Sequence, residues 1–317
     1  MGGVIGVQIV TPPPYPVLAG SVVTIGSFDG LHVGHARLID RTVRRARQEG
    51  LPAVLLTFWP HPQEVLRGEP VPLLLSRPDR ETRLAEMGLD LLVYWPFSAE
   101  LAARSPEEFV SRVLLPHFRP RVVFVGFNFT FGLHAQGNAH LLERLGKEYG
   151  FEVGVEPPAT VDGVVVSSST IRATLSQGDI VQTRKLLGYW PYLRGTVVPG
   201  EARGRKLGFP TANLLPPEEV LWPKEGVYAA YAYLPPHRWP AVLNIGHRPT
   251  FGKGLPRTLE VHLLGYGGEP LYGQQLKVEF RGRLRAEQRF DRPEELVAQI
   301  NKDVERAMQL LRQQEGI

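Results

Sequence analysis

Two histidines three residues apart, His32 and His35, follow a short apolar run and a glycine-rich turn in Ile25-Gly26-Ser27-Phe28-Asp29-Gly30-Leu31-His32-Val33-Gly34-His35. Gly26, Gly30 and Gly34 allow tight turning and close approach of a ligand to the backbone. Ala36, Leu38, Ile39, Val43 and Ala46 then recur at helical spacing, which predicts a helix from about Gly34 whose amino end faces the turn. Free backbone N–H groups and the positive end of the helix dipole favour an anion there, and the imidazoles add donors on the same side. That chemistry suits a polyphosphate. On residues alone, a metal site and two surface histidines remain open, although no cysteine and no further ligand cluster at metal spacing lies nearby. The turn matches neither the P-loop nor the usual dinucleotide string.

A second set lies far along the chain. In residues 200–213 glycines and basic residues, among them Gly204, Lys206 and Gly208, precede Thr211 and Asn213. Backbone N–H groups at such glycines can approach phosphates, and the two side-chain oxygens suit Mg²⁺, a hard cation that takes few protein ligands. Glu260 stands on an apolar, strand-like run, where a solvated glutamate paired with Arg257 or Arg285 is the simplest reading of the residue alone.

The elements that must carry these residues fall into two textures. Between residues 21 and 157 short apolar runs at 22–25, 53–58, 91–94, 122–125 and 151–155 alternate with helical patterns at 34–48, 78–86, 106–115 and 138–149. That alternation predicts a doubly wound α/β domain with a parallel sheet and a ligand beyond the carboxyl ends of its strands. From about residue 188 the runs become short and β-like, at 193–198, 226–233, 241–245, 259–264 and 275–280, and a closing helix at 293–311 carries Leu296, Ile300, Val304 and Met308 as one stripe. These predict a small antiparallel barrel with a helix packed on it, and hence domains at 1–187 and 188–317.

The 317 residues hold 36 basic and 32 acidic side chains, a formal charge of +4, and no cysteine. A disulfide framework, a thiol nucleophile and a zinc ribbon are thereby excluded. The slight basic excess forms no long block, so phosphorylated small molecules account for it as well as a nucleic acid would. The chain shows neither a signal peptide nor a membrane-length apolar run, which sets the expectation of a cytoplasmic protein with no membrane or nucleic-acid partner, a monomer or weak homo-oligomer.

The string Gly-x-Phe-Asp-Gly-x-His-x-Gly-His resembles the signature of the bacterial FAD synthetases, members of the nucleotidyltransferase superfamily. Three further stretches resemble that family's motifs: Thr57-Phe58-Trp59-Pro60-His61-Pro62, in which Trp59 replaces a common acid; residues 125–132 around Asn128; and Ser167-Ser168-Ser169-Thr170-Ile171-Arg172, in which Ser169 replaces a threonine. By themselves the hydroxyls of that last stretch read as helix caps. Pro210-Thr211-Ala212-Asn213 after Gly208-Phe209, with Asn244-Ile245-Gly246, Glu260-Val261-His262 and Leu284-Arg285-Ala286-Glu287 following in order, resembles the riboflavin kinases. The resemblance spans nearly the whole chain.

It implies a bifunctional enzyme that makes FMN from riboflavin and ATP and then joins FMN to the AMP part of ATP, with Mg²⁺ as cofactor. It implies that His32, His35 and Arg172 act at the phosphates in adenylylation, with Gly26, Phe28, Asp29, Gly34, Asn128, Ser167 and Ser168 around the nucleotide. In the kinase it implies Glu260 as base, Thr211 and Asn213 at the metal, and Gly204, Lys206, Gly208 and Arg285 about ATP and flavin. Two other readings are weighed against it. One is a monofunctional nucleotidyltransferase with the barrel as a binding module; the other is a non-enzymatic nucleic-acid protein. The intact Thr211–Asn213 and Glu260 segments oppose the first, and the lack of a basic block opposes the second. A class I aminoacyl-tRNA synthetase would also need a Lys-Met-Ser-Lys-Ser string, which is absent.

Overall fold

The computed structural model describes residues 6–10, 17–200, 204, 207–247 and 257–316. The chain divides into two compact units, Met1–Ser168 and Ser169–Ile317.

In the first unit β1 (Gln8–Val10), β2 (Ser21–Ile25), β3 (Ala53–Trp59), β4 (Leu91–Pro96), β5 (Pro120–Gly126) and β6 (Glu152–Glu156) form one parallel sheet in the order β1-β4-β3-β2-β5-β6. Helices α1 (Val33–Glu49), α2 (Arg77–Ala85) and α3 (Ala139–Tyr149) belong to the same unit. Every residue of β2 is buried, which is why its sequence reads as an unbroken apolar run instead of an alternating one. On one face Val23, Ile25, Val54, Leu56, Val123 and Val125 pack with Phe109, Phe118, Leu142 and Leu145. From β2 the chain first winds outward through β3 to β4 and later crosses to β5 on the other side of β2. The strand order therefore reverses between β2 and β5, where open α/β sheets form their ligand crevice. The histidine turn leaves the carboxyl end of β2, and residues 127–132 leave that of β5.

Two expectations need adjustment here. A three-residue strand, β1, was not legible; it adds to the edge of the sheet by parallel pairing with β4. The single helix expected at 106–115 starts as predicted, with Ser105 and Glu108 forming a capping box, but widens into a π-helical turn over Val110–Leu114 before Leu115–Phe118. Pro116 has no N–H to give to the fourth carbonyl back, so the regular ladder cannot continue through it.

The second unit begins with α4 (Ser168–Gln177), of which it holds all but the first residue, and α5 (Ile180–Leu187). Six strands follow: β7 (Tyr192–Val198), β8 (Ala212–Leu215), β9 (Gly226–Leu234), β10 (His237–His247), β11 (Arg257–Leu263) and β12 (Gln275–Arg285). They close into an antiparallel barrel in the order β7-β8-β11-β10-β9-β12. The segment around Asn213, absent from the expected strands, forms β8, and its pairing with both β7 and β11 closes the barrel. Closure leaves no strand edge unpaired.

Helix α6 (Pro293–Glu315) lies on the barrel through Ala307 and Leu311, which pack with Val227, Ala229, Tyr231 and Val242. The predicted stripe is therefore rotated. Leu296, Ile300, Val304 and Met308 flank the contact, while Asp303, Ala307 and Leu311 are its buried residues. Val304 of that stripe still packs against the cluster, and beside it Arg285 at the end of β12 meets the Asp303 carboxylate through Nε and Nη2 at 2.7–3.0 Å, with Asp303 only 1% exposed. Removing one partner of such a pair leaves a charge buried without its counter-ion. Asp303→Ala should destabilise the second unit by about 3 kcal/mol, seen as a lower unfolding midpoint, whereas a surface replacement such as Glu305→Ala should stay within about 0.5 kcal/mol.

Candidate active sites

The turn after β2 is shaped by its own buried residues. Phe28 and Leu31 adopt positive φ (50° and 40°), as does Gly30 at 82°. The Phe28 ring is 1% exposed and wedges between Gly26 and the imidazole of His35, whose ring centre is 5.1 Å away. A Cβ at position 26 would stand 3.2 Å from that ring, so the glycine is what lets it fit. Asp29 points inward: its carboxylate accepts the Leu74 N–H at 2.9 and 3.2 Å, and its carbonyl accepts the Ser168 hydroxyl at 2.9 Å. Asp29 therefore fastens the turn to the segment before α2 and to Ser168, the last residue of the first unit.

His32 is the N-cap of α1, and its Nδ1 accepts the His35 N–H at 3.2 Å. An acceptor Nδ1 carries no proton, so the neutral ring carries it on Nε2. The two imidazoles stack at 3.5 Å with 14° between their planes, and the Nδ1 of His35 is buried without a hydrogen-bond partner. A buried N–H without an acceptor is the rarer kind of orphan, which assigns the His35 proton to Nε2 as well. Burial pushes His32 down to about 4. His35 is held well below its ordinary value by burial first, then by His32 and by Arg80. Two neutral donors thus stand at the amino end of a 17-residue helix.

The other expected residues fall as follows. Asn128 is exposed in the turn after β5, where the Phe129 N–H closes back on the Gly126 carbonyl at 3.0 Å. Phe131 belongs to the core and stacks on Phe129, while Phe127 is 45% exposed. Ser167 and Ser168 lead into α4, and Arg172 stands one helical turn beyond Ser168. His61 caps the short helix Pro62–Arg67, its Nδ1 accepting the Gln63 N–H at 3.2 Å. Trp59 lies with the Arg77 and Arg80 guanidinium groups 5.8 and 5.9 Å from its ring centre.

In the barrel, β11 buries Leu259, Val261 and Leu263 and turns Glu260 to the other face. Glu260 is directly paired with Asn213 on β8 and with Asn244 on β10. Directly opposed residues share a face, so the three side chains form a row across neighbouring strands on the outer wall of the barrel. Asn244 in turn donates to Glu287 at 3.2 Å. Gly246 makes room for that carboxylate, since a Cβ there would come within 1.9 Å of it. Gly200 does the same for the Asn213 amide, a Cβ there meeting its Nδ2 at 1.9 Å. The preceding loop closes on Gly204, whose carbonyl accepts the Leu207 and Phe209 N–H groups at 3.1 and 2.8 Å, with Gly208 at φ 85°. Lys206 lies outside the described residues. Arg285 is engaged on Asp303 and the Ala286 carbonyl. Asn244 and Glu287 were not picked out as site residues; their segments were noted, but only strand register brings them beside Glu260.

Comparison with known proteins agrees with this division. A FAD synthetase family model matches residues 16–170 and a riboflavin kinase model residues 187–311. The bifunctional riboflavin kinase/FMN adenylyltransferase of Escherichia coli strain K12 is 38% identical over 286 residues, 90% of each chain. The chain belongs to the bifunctional riboflavin kinase/FMN adenylyltransferase family. The Bacillus subtilis relative of the same description is 34% identical over 92% of both chains. A Streptococcus pneumoniae crystal structure described as a macrolide-efflux protein superposes with a TM-score of 0.85 at 30% identity, covering 94% of this chain and 97% of that one. Among the described residues here, no helix is long and apolar enough to cross a membrane.

The depressed His32 has a consequence for stability. The unfolded chain takes up a proton near pH 6.5, but the folded ring takes one only near 4, so this contribution is complete above 6.5 and is lost as pH falls toward 4. By about pH 4 the loss amounts to about 3 kcal/mol. Unfolding midpoints measured from about pH 7 to pH 4 should fall more steeply for the parent than for His32→Gln; equal slopes would contradict the assignment.

Proposed function

We propose that the two activities of this family member, riboflavin kinase and FMN adenylyltransferase, are carried by two separate residue sets, the Asn213–Glu260 row of the barrel and the His32–His35 turn. The observation that carries this reading is the pairing of each set with its own geometry: a carboxylate in strand register with an amide oxygen in one unit, and two donor imidazoles at a helix amino end in the other.

In the kinase step the terminal hydroxyl of the riboflavin ribityl chain attacks the γ-phosphorus of ATP, and ADP leaves. Glu260 takes the hydroxyl proton as that bond forms. Thr211 and Asn213 present oxygen donors to Mg²⁺, whose preference for hard ligands and substrate phosphates suits so small a protein set. Among the described residues no group of three His, Cys, Asp or Glu gathers to hold a metal. When bound, Mg²⁺ supplies charge neutralisation at the β- and γ-phosphates. Gly204 and Gly208 offer their backbone to the same phosphates. Asn244 and Glu287 keep the Glu260 row aligned, and Arg285 serves by fixing α6 to the barrel.

In the adenylyl step a phosphate oxygen of FMN attacks the α-phosphorus of ATP, and pyrophosphate leaves without a covalent enzyme intermediate. The nucleophile is already an anion, so no base is required. Charge that develops on the phosphates meets the Nε2–H donors of His32 and His35 and the first N–H groups of α1. Asn128, Ser167, Ser168 and Arg172 are the further phosphate and nucleotide ligands in this proposal. Phe28 and Asp29 act by shaping the turn. The proposed setting is the cytoplasm.

Substitutions separate the sets. Glu260→Gln should lower FMN formation from riboflavin by at least about 100-fold and leave FMN-to-FAD conversion within about twofold of the parent. His32→Ala should do the reverse. Chromatographic assay of each half-reaction reads both. Loss of both reactions in either folded variant would overturn the two-site assignment.

A further inference from the structure

Arg80 is the fourth residue of α2 and lies behind the histidine turn. It is 3% exposed, and its Nη1 donates to the Ser27 carbonyl at 3.2 Å, the oxygen that also takes the Thr57 hydroxyl at 3.3 Å. Its Nε and Nη2 are buried, with the Tyr94 hydroxyl beside the guanidinium as a neutral neighbour. The Asp29 carboxylate accepts the Leu74 N–H, and Asp79 accepts the Ser76 hydroxyl at 2.8 Å. The rings of Tyr94 and Trp59 flank the guanidinium at 5.2 and 5.9 Å.

A buried guanidinium without a carboxylate is costly, and aromatic faces offset only part of that cost. No strand or helix needs such a residue for packing alone. A charge in this position is also little screened, so its field reaches through the turn. On the outer side of that turn stand hydrogen-bond donors, the first N–H groups of α1 and the two neutral imidazoles. An anion that arrives with a ligand would meet those donors and the field of Arg80 together. We propose that Arg80 is a positioning residue for adenylyl transfer, a fixed buried cation that pins the Ser27 carbonyl and biases the turn above it toward a polyphosphate. The proposal rests on the reading that this turn holds the triphosphate of ATP.

The test uses the full chain with Arg80→Met, which keeps length and removes charge, and Arg80→Lys, which keeps charge. With FMN and MgATP as substrates, Arg80→Met should raise KM for ATP about tenfold while KM for FMN stays within about twofold, and Arg80→Lys should recover most of the difference. Riboflavin-to-FMN turnover in the same variants should match the parent, and circular dichroism with the unfolding midpoint checks that the first unit of each is folded; if Arg80→Met does not fold, Arg80→Gln replaces it in the comparison. A KM for ATP unchanged in the uncharged variant overturns the proposal. So does equal impairment by Met and Lys together with a lowered unfolding midpoint, the mark of a structural brace. His32→Ala run beside them separates the two levels: if it leaves FAD formation intact, the reading of the turn itself fails, whereas loss there with a silent Arg80→Met removes only the role of Arg80.

Discussion

One hydrogen bond organises the first site, the acceptance of the His35 N–H by the His32 imidazole. N-caps are usually short oxygen side chains; here an aromatic nitrogen does the work. Using Nδ1 as the acceptor commits the proton to Nε2, and burial keeps the ring neutral. Capping with a serine would hold the helix as well but would place no imidazole Nε2–H at its amino end. The same contact also sets the parallel stacking with His35, and Phe28 supports the pair from beneath. Helix formation and the proposed phosphate recognition thus depend on one geometry.

The second site depends on register. Asn213, Glu260 and Asn244 come from segments far apart in sequence, and only the antiparallel pairing of β8, β11 and β10 sets them in a row. A slip of one residue in β11 would turn Glu260 toward the barrel interior in place of Val261. Closure by β8 resists such a slip because each strand is then fixed on both sides. A glycine stands where each amide or carboxylate of the row crosses close to backbone, at 200 against Asn213 and at 246 against Glu287.

Much of this was legible beforehand. The parallel-sheet domain, the barrel and the closing helix follow from where apolar residues recur, because periodicity reports which faces are buried. Family resemblance then gave the two activities. What it could not give was the direction in which a polar side chain points. Asp29 reads as a ligand beside two histidines, yet its carboxylate is turned to the Leu74 amide, a partner supplied by another stretch of chain. Arg285 reads as a phosphate contact, yet Asp303 on α6 engages it. Strand β8 was hidden because four residues, Ala212–Leu215, are too short a stretch to carry a periodic signal. Arg80 gave no signal at all, since an arginine on a helix with Asp79 and Glu81 on either side looks like an exposed, solvated residue.

The central claim is that one chain performs two consecutive transfers at two sites. Incubating the purified protein with riboflavin and MgATP alone, and following flavins by chromatography over time, tests it directly. FMN should appear first and then give way to FAD, with pyrophosphate released in step with FAD. Absence of FMN would contradict the role given to the barrel, and FMN that accumulates without any FAD would contradict the role given to the histidine turn.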